Sequence, residues 1–318
     1  MENEEKSREE ILWERAKEFD GVARAESYHE LSKIEYDRHN YSEALSMCLV
    51  AKELYEKDGA NSHTREIIDI YEGLSSIYEC LDDCAEAEEA LKEAVGIARK
   101  EESELLGDLL RSLGRMHYEH KKWEESIEAH SEAMLIPIQE NEDRSIGVDY
   151  LNVGMAHYRL ENYVEALQYE MQALEHFEDE KVAPIWLVHT YGELACTYAG
   201  LGNGEKAVFF GQKALDWHEI EKNYSKCWWL MYYIGIGYRL QGELDQALEI
   251  LKQARDLAVE HADTPQHFLV DVDKEAGEIF LMKGSVEKGQ ELIRRSKSVQ
   301  EILEKKPVDK EVSNGKHN

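Results

Sequence analysis

The chain has 318 residues, a net charge of −30 at pH 7, 33% charged residues and only 4 prolines. Such a charge opposes binding to DNA, RNA or anionic membrane, because phosphates are repelled. The longest apolar stretch, residues 228–238, is too short to cross a bilayer, which takes about 20 residues.

The chain opens with Met1-Glu2-Asn3-Glu4-Glu5, acidic where a secretion signal needs a basic start. Residues 6–22 are expected to form one amphipathic helix, with Ile11, Leu12, Ala16 and Phe19 on one side, serving as an N-terminal cap. From about residue 25 a pattern begins that recurs seven times: a small residue, another twelve positions on, and a third seven further. The triplets are Ser32/Ala44/Ala51, Ser75/Ala87/Ala94, Gly114/Ser126/Ala133, Gly154/Ala166/Ala173, Ala195/Ala207/Ala214, Gly235/Ala247/Ala254 and Gly277/Gly289/Ser296. Their middle members lie 43, 39, 40, 41, 40 and 42 residues apart. A fixed period of this size marks an array of units, none of which buries its apolar face alone.

Each unit reads as two helices that meet at the small residues, where a large side chain would force the backbones apart. An aromatic residue or His follows three positions after the first small residue, as Tyr78, His117, His157, Tyr198, Tyr238 and Phe280. Short turns separate the helices, beginning at His39, Asp82, Lys121, Glu161, Gly202, Gly242 and Gly284. The three glycines stand where a left-handed helix cap favours them. The last unit, with Ala276 and Gly289, is expected to be degenerate, as terminal units often are. Residues 304–318, starting Glu304-Lys305-Lys306-Pro307, read as a disordered polar tail. The expected organisation is therefore 1–24 for tail and capping helix, 25–303 for the array and 304–318 for the tail, with no further domain.

The signature segments are 153–158 with 162–167, and 234–238 with 242–248, that is Val153-Gly154-Met155-Ala156-His157-Tyr158 with Asn162-Tyr163-Val164-Glu165-Ala166-Leu167 and their counterparts. With these, residues 25–303 resemble the tetratricopeptide repeat. The resemblance implies an all-α, right-handed superhelical solenoid of seven antiparallel helix pairs. The period of about 40 exceeds the 34 of the common form, as in the repeats of kinesin light chains and of bacterial signalling-peptide receptors. The excess lies after the third small residue. The proline that often closes a repeat is mostly missing, Pro137 alone coming near it.

In that family the first helix of each repeat lines a concave groove. The lining positions carried over are Arg111, Arg115 and Tyr118, then Asn152, Met155, Tyr158 and Arg159, then Trp229, Tyr232, Ile236 and Arg239. Four arginines stand out in so acidic a chain. Guanidinium forks bind carboxylates, and Tyr and Trp offer apolar faces with polar tips. The expected ligand is a peptide, acidic and with apolar anchors. The alternative is that these arginines pair with neighbouring carboxylates such as Glu119 and Glu79. Small residues between Gly192 and Ala199 are expected to leave a hollow beside Trp229 and Tyr232 for a ligand side chain. The carboxylate clamp of chaperone-binding members is absent, since no Asn follows any first small residue.

No catalytic motif stands in the chain, and neither an enzyme nor a cofactor is expected. Gly202-Asn203-Gly204-Glu205-Lys206 lacks the remaining parts of a phosphate loop. His117, His120 and His130 form a loose group for which packing is the favoured role and metal binding is not expected. Cys80 and Cys84 are separated by a helix end. Five cysteines without framework spacing point to reduced thiols in a cytoplasmic protein. Two function classes remain: an adaptor that holds a peptide segment of a protein partner, and a sensor of a short signalling peptide. The resemblance favours the adaptor, because peptide receptors of this type carry an N-terminal effector domain and only about 24 residues precede the first repeat.

Overall fold

The computed structural model of the chain describes residues 7–59, 62–136, 143–178, 184–220, 227–260 and 266–305. Fifteen helices are found there, and no strand. They fall in two compact units, Met1–Glu142 and Asp143–Asn318. The first holds α1 (Arg8–Glu18) and three pairs: α2 (Val22–Asp37) with α3 (Tyr41–Gly59), α4 (Thr64–Cys80) with α5 (Cys84–Lys100), and α6 (Leu106–Glu119) with α7 (Trp123–Ala133). The second holds four: α8 (Asp143–Arg159) with α9 (Tyr163–Phe177), α10 (Pro184–Gly200) with α11 (Gly204–Ile220), α12 (Trp228–Leu240) with α13 (Leu244–Glu260), and α14 (Gln266–Met282) with α15 (Val286–Lys305). Each pair matches one repeat of the sequence.

All members of the seven small-residue triplets are buried. The last repeat, expected to be degenerate, makes one of the tightest contacts. A Cβ on Gly277 would stand 3.0 Å from the Gly289 carbonyl oxygen, and one on Gly289 would stand 2.7 Å from the Gly277 carbonyl oxygen. Two glycines facing each other bring the α14 and α15 backbones together, so the irregular residues are what the packing uses.

The turn within every pair has one construction. His39, Asp82, Lys121, Glu161, Gly202, Gly242 and Gly284 all have φ between 60° and 81°. The next amide donates to the carbonyl five residues back at 2.8–2.9 Å: Asn40 to Glu35, Asp83 to Tyr78, Lys122 to His117, Asn162 to His157, Asn203 to Tyr198, Glu243 to Tyr238 and Ser285 to Phe280. This is the left-handed cap that satisfies orphan carbonyls at a helix end. Except in the first repeat, the acceptor is the residue at the aromatic or His position. An L-residue in this conformation is strained by about 1–2 kcal/mol, and glycine is not. Glu161→Gly and Lys121→Gly are therefore expected to raise stability by about 0.5–1 kcal/mol each, read as a higher denaturant midpoint at unchanged slope.

The amino-terminal helix is shorter than expected. It begins after Ser7, whose side chain accepts from the Glu10 amide in a capping box, and it ends at Glu18. Leu12 and Ala16 are buried, but Ile11 and Phe19 are 46% and 49% exposed. Gly21, with φ +63°, starts α2 as a separate helix. The chain thus bends away before Phe19 can join the apolar side. Pro137 and residues 306–318 of the expected tail lie outside the described residues, while α15 continues to Lys305.

His117, His130 and His157 are packing residues. His117 is buried and lies 3.3 Å from Glu88, which also pairs with Lys92 at 2.6 Å and with Lys122. Burial raises the Glu88 carboxyl, but the two lysine hydrogen bonds outweigh it and bring it to about 2. His130 fills the space left by Gly114, and His157 stacks on Tyr169 with centroids 5.4 Å apart. Among the described residues no three His, Cys, Asp or Glu side chains are grouped to hold a metal ion. All five cysteines are free, and no described helix is long and apolar enough to cross a membrane.

Candidate ligand-binding face

In the second unit the first helices of successive pairs touch: α8 meets α10, α10 meets α12, and α12 meets α14. No comparable contact joins the second helices among the described residues. The layer of first helices is therefore the closer-packed side, and the second helices splay. In the first unit α2 touches α4 in the same way. Of the predicted lining residues, Arg111, Arg115 and Tyr118 lie on α6 of the first unit, and the others on α8 and α12 of the second.

On α6 of the first unit, Arg111 pairs with Asp108 at 3.0 Å and Arg115 with Glu119 at 3.0 Å. Tyr118 meets Trp123 edge to face at 4.9 Å. Arg111 keeps only 16% of its side chain exposed, whereas Arg115 keeps 58%. On α12 of the second unit, Arg239 donates from Nε to Glu275 of α14. Burial raises the Glu275 carboxyl and Arg239 opposes that rise. Arg159 lies over the Tyr158 ring at 6.0 Å from its centroid. Arg111, Arg115 and Arg239 are thus engaged by Asp or Glu side chains, which is the alternative that the sequence left open.

The aromatic residues form a continuous wall. The Tyr158 hydroxyl donates to the Tyr233 hydroxyl at 2.9 Å, reaching from α8 to α12 over α10. Tyr233 meets Tyr232 at 5.2 Å and Trp229 at 6.4 Å, both edge to face, and Tyr232 meets Phe268 of α14 at 5.6 Å. Burial pushes the hydroxyls of Tyr158, Tyr232 and Tyr233 up. Beneath them Cys196 is 3% exposed, and burial followed by the Glu193 charge pushes its thiol up. It is an inert thiol, since the thiolate is the reactive form. Met155 packs against the cluster of Leu151, Ala173 and Phe177. Asn152 and Ile236 are half-buried.

The hollow expected between Gly192 and Ala199 is filled from within. The Trp229 ring lies where a Cβ on Gly192 would stand, with its Cζ2 3.1 Å from that position. The small residues of α10 let Tyr158 and Tyr233 meet above it, instead of leaving space for a ligand side chain.

Tyr233, at the centre of the wall, is absent from the predicted lining. It stands two residues before Gly235, the same offset that placed Asn152 before Gly154, so the signal was present in the residues. A second feature was also missed. In the first unit a cavity of about 350 Å³ opens between α2 and α4, bordered by His29, Lys33, Tyr36, Asp69 and Ser76 among others. His29, Lys33 and Tyr36 stand three before, one after and four after Ser32, the offsets that gave the arginines in later repeats. Burial lowers the His29 imidazole, leaving the neutral form favoured there.

No family model matches the chain. Among curated proteins, it is 28% identical over 127 residues to the 43 kDa receptor-associated protein of the synapse from Gallus gallus, covering 38% of this chain and 28% of that protein. It is 28% identical over 156 residues to the transcriptional activator NprA of Geobacillus stearothermophilus, covering 48% and 38% respectively. The chain thus matches well under half the length of either. Among solved structures, it superposes on the signal transduction ATPase with a tetratricopeptide repeat sensor from Pyrococcus horikoshii with a TM-score of 0.67 at 18% identity, covering 93% of this chain and 45% of that one. The apo quorum sensor NprR of B. thuringiensis gives a TM-score of 0.63 at 15% identity, with 92% and 80% covered. Apo RapI gives 0.62 at 17%, with 89% and 99% covered.

Proposed function

We propose that this chain, which has a tetratricopeptide-repeat fold, is an adaptor that holds a peptide segment of a partner protein on the first helices of its second unit. The observation that carries this reading is the aromatic wall of the second unit. Tyr158, Tyr232, Tyr233 and Trp229 present apolar faces with polar tips, a combination enriched where proteins recognise partners. Asn152 on α8 offers an amide to a peptide backbone. The ligand's apolar side chains do most of the binding. A ligand carboxylate would have to compete with Glu275 for Arg239, so acidity is the lesser part of its recognition. The chain supplies no nucleophile or acid–base pair for a reaction in this reading, and the partner is neither a nucleic acid nor a membrane.

A second reading is a sensor of a short signalling peptide. It is favoured by the hydrogen bond between Tyr158 and Tyr233, which ties α8 to α12. A peptide that parted these hydroxyls would change how α8, α10 and α12 sit on one another. The fold shared with a protein described as a quorum sensor agrees with this reading.

The test is capture of partners from native lysate by wild type, by the double variant Tyr232→Ala with Arg159→Glu, and by Phe209→Ala. Phe209 lies on the second helix α11 and is 53% exposed. The double variant is expected to lose capture at least about tenfold, equal to about 1.4 kcal/mol, with its helical circular dichroism unchanged, while Phe209→Ala captures normally. Capture that survives the double variant and fails with Phe209→Ala would place the interaction on the second helices and refute the proposal.

A further inference from the structure

The splay of the second helices opens clefts on the other side of the second unit. The cleft between α13 and α15, floored by α14, has a volume of about 420 Å³. Its floor is apolar, with Leu251, Val272, Phe280 and Leu292, and its walls carry Lys252, Arg255, Lys288 and Arg295. Four cations around one cleft stand out in a chain of net charge −30.

Their carboxylate partners are few. Asp273, 7% exposed, accepts from Arg255 Nε at 3.0 Å on one oxygen and pairs with Arg295 at 2.7 Å on the other. One carboxylate thus fixes two guanidiniums, leaving one positive charge in excess and further N–H donors on each fork. The Lys288 ammonium lies 3.9 Å over the Phe280 ring. Lys252 makes no ion pair among the described residues, and of the cleft's other acids, Asp245 pairs with Lys283 while Glu249 accepts from Gln253 at 3.2 Å. The two lysines differ in this from Arg111, Arg115 and Arg239 of the first helices, each of which pairs with an Asp or Glu side chain.

We propose that this cleft docks an acidic amphipathic peptide segment of a protein partner, separately from the first-helix layer. Apolar side chains of the segment would cover Phe280 and its neighbours, and its carboxylates would meet Lys252, Lys288 and the outer edges of the two arginine forks. Guanidinium forks take carboxylates in two-bond pairs, and charges on a rim steer the approach of an oppositely charged partner.

The experiment selects a displayed library of short helical peptides on the full chain and measures the best binder by fluorescence anisotropy. Selected sequences are expected to combine Leu or Phe with Glu or Asp on neighbouring turns. Lys252→Glu with Lys288→Glu is expected to weaken binding at least about tenfold, and raising salt from ~50 to ~500 mM to weaken it further. Tyr158→Ala, on α8 and away from the cleft, is expected to leave affinity within about twofold, which separates this site from the face proposed above. Both lysines are exposed, and circular dichroism confirms folding of the variant. Binders without acidic residues, or binding unchanged by the lysine substitutions, would overturn the proposal. So would loss on Tyr158→Ala instead, which would assign the peptide to the first helices of the second unit.

Discussion

Replacing Gly154 or Ala166 by leucine is expected to lower stability by about 1–3 kcal/mol through overpacking. A Cβ on Gly154 would stand 2.8 Å from the Glu170 Cγ and 3.3 Å from both the Ala166 carbonyl oxygen and the Glu170 amide nitrogen. Two of these three atoms are backbone of α9 and yield only if the helix moves. Ala166 faces the same contact from α9 and is fully buried. In a repeat array each unit leans on its neighbours, so widening the α8–α9 pair also disturbs the seat of α10 on α9. Thermal melting followed by circular dichroism checks it. Melting unchanged in both variants would show that this contact does not hold the pair together.

Raising the pH above the ordinary carboxylate range is expected to destabilise the protein through Glu170, which is fully buried. The Thr197 hydroxyl donates to its Oε1 at 2.8 Å, and its Oε2 is buried without a hydrogen-bond partner. Burial, then the nearby Glu193 charge, raises the Glu170 carboxyl well above its usual range, against the opposing hydrogen bond from Thr197. A group whose folded pKa lies above its unfolded value binds its proton more tightly when folded. Its contribution to stability is fully present below the unfolded value, about 4.3 for Glu, and is lost as pH rises through the folded value. Glu170→Gln cannot ionise. It is expected to flatten the decline in melting temperature as pH rises above about 4.3, while the behaviour below that pH, which other carboxylates set, stays nearly as in wild type. An identical decline in both proteins would show that Glu170 is not its source.

The repeat, the pairing of helices and the place of each turn were legible in the residues because they depend on short-range geometry. A small residue and its partner twelve positions on must meet across one turn, and a period of about 40 residues states that rule seven times. Even so, the left-handed turn residue was legible only where it is glycine. His39, Asp82, Lys121 and Glu161 adopt the same conformation because the helix-end hydrogen bonds impose it, whatever the side chain prefers.

The proposed recognition face was legible as a set of positions and not as a chemistry. Offsets from the first small residue placed Tyr158, Tyr232 and Arg239 on the first helices. Which groups they meet depends on how one pair stacks on the next. Tyr158 finds Tyr233 75 residues away, and Arg239 finds Glu275 36 residues away. Such contacts are set by side-chain reach across neighbouring repeats, which no local pattern encodes. The hollow inferred at Gly192 failed for the same reason, since Trp229 belongs to the next repeat and fills it.

By itself the sequence determined seven helix pairs and their buried small residues, because packing within a pair repeats with the chain. Only the tertiary structure decided which charges are engaged, where the aromatic rings join and which outer cleft gathers cations, because those depend on the stacking of one pair on another.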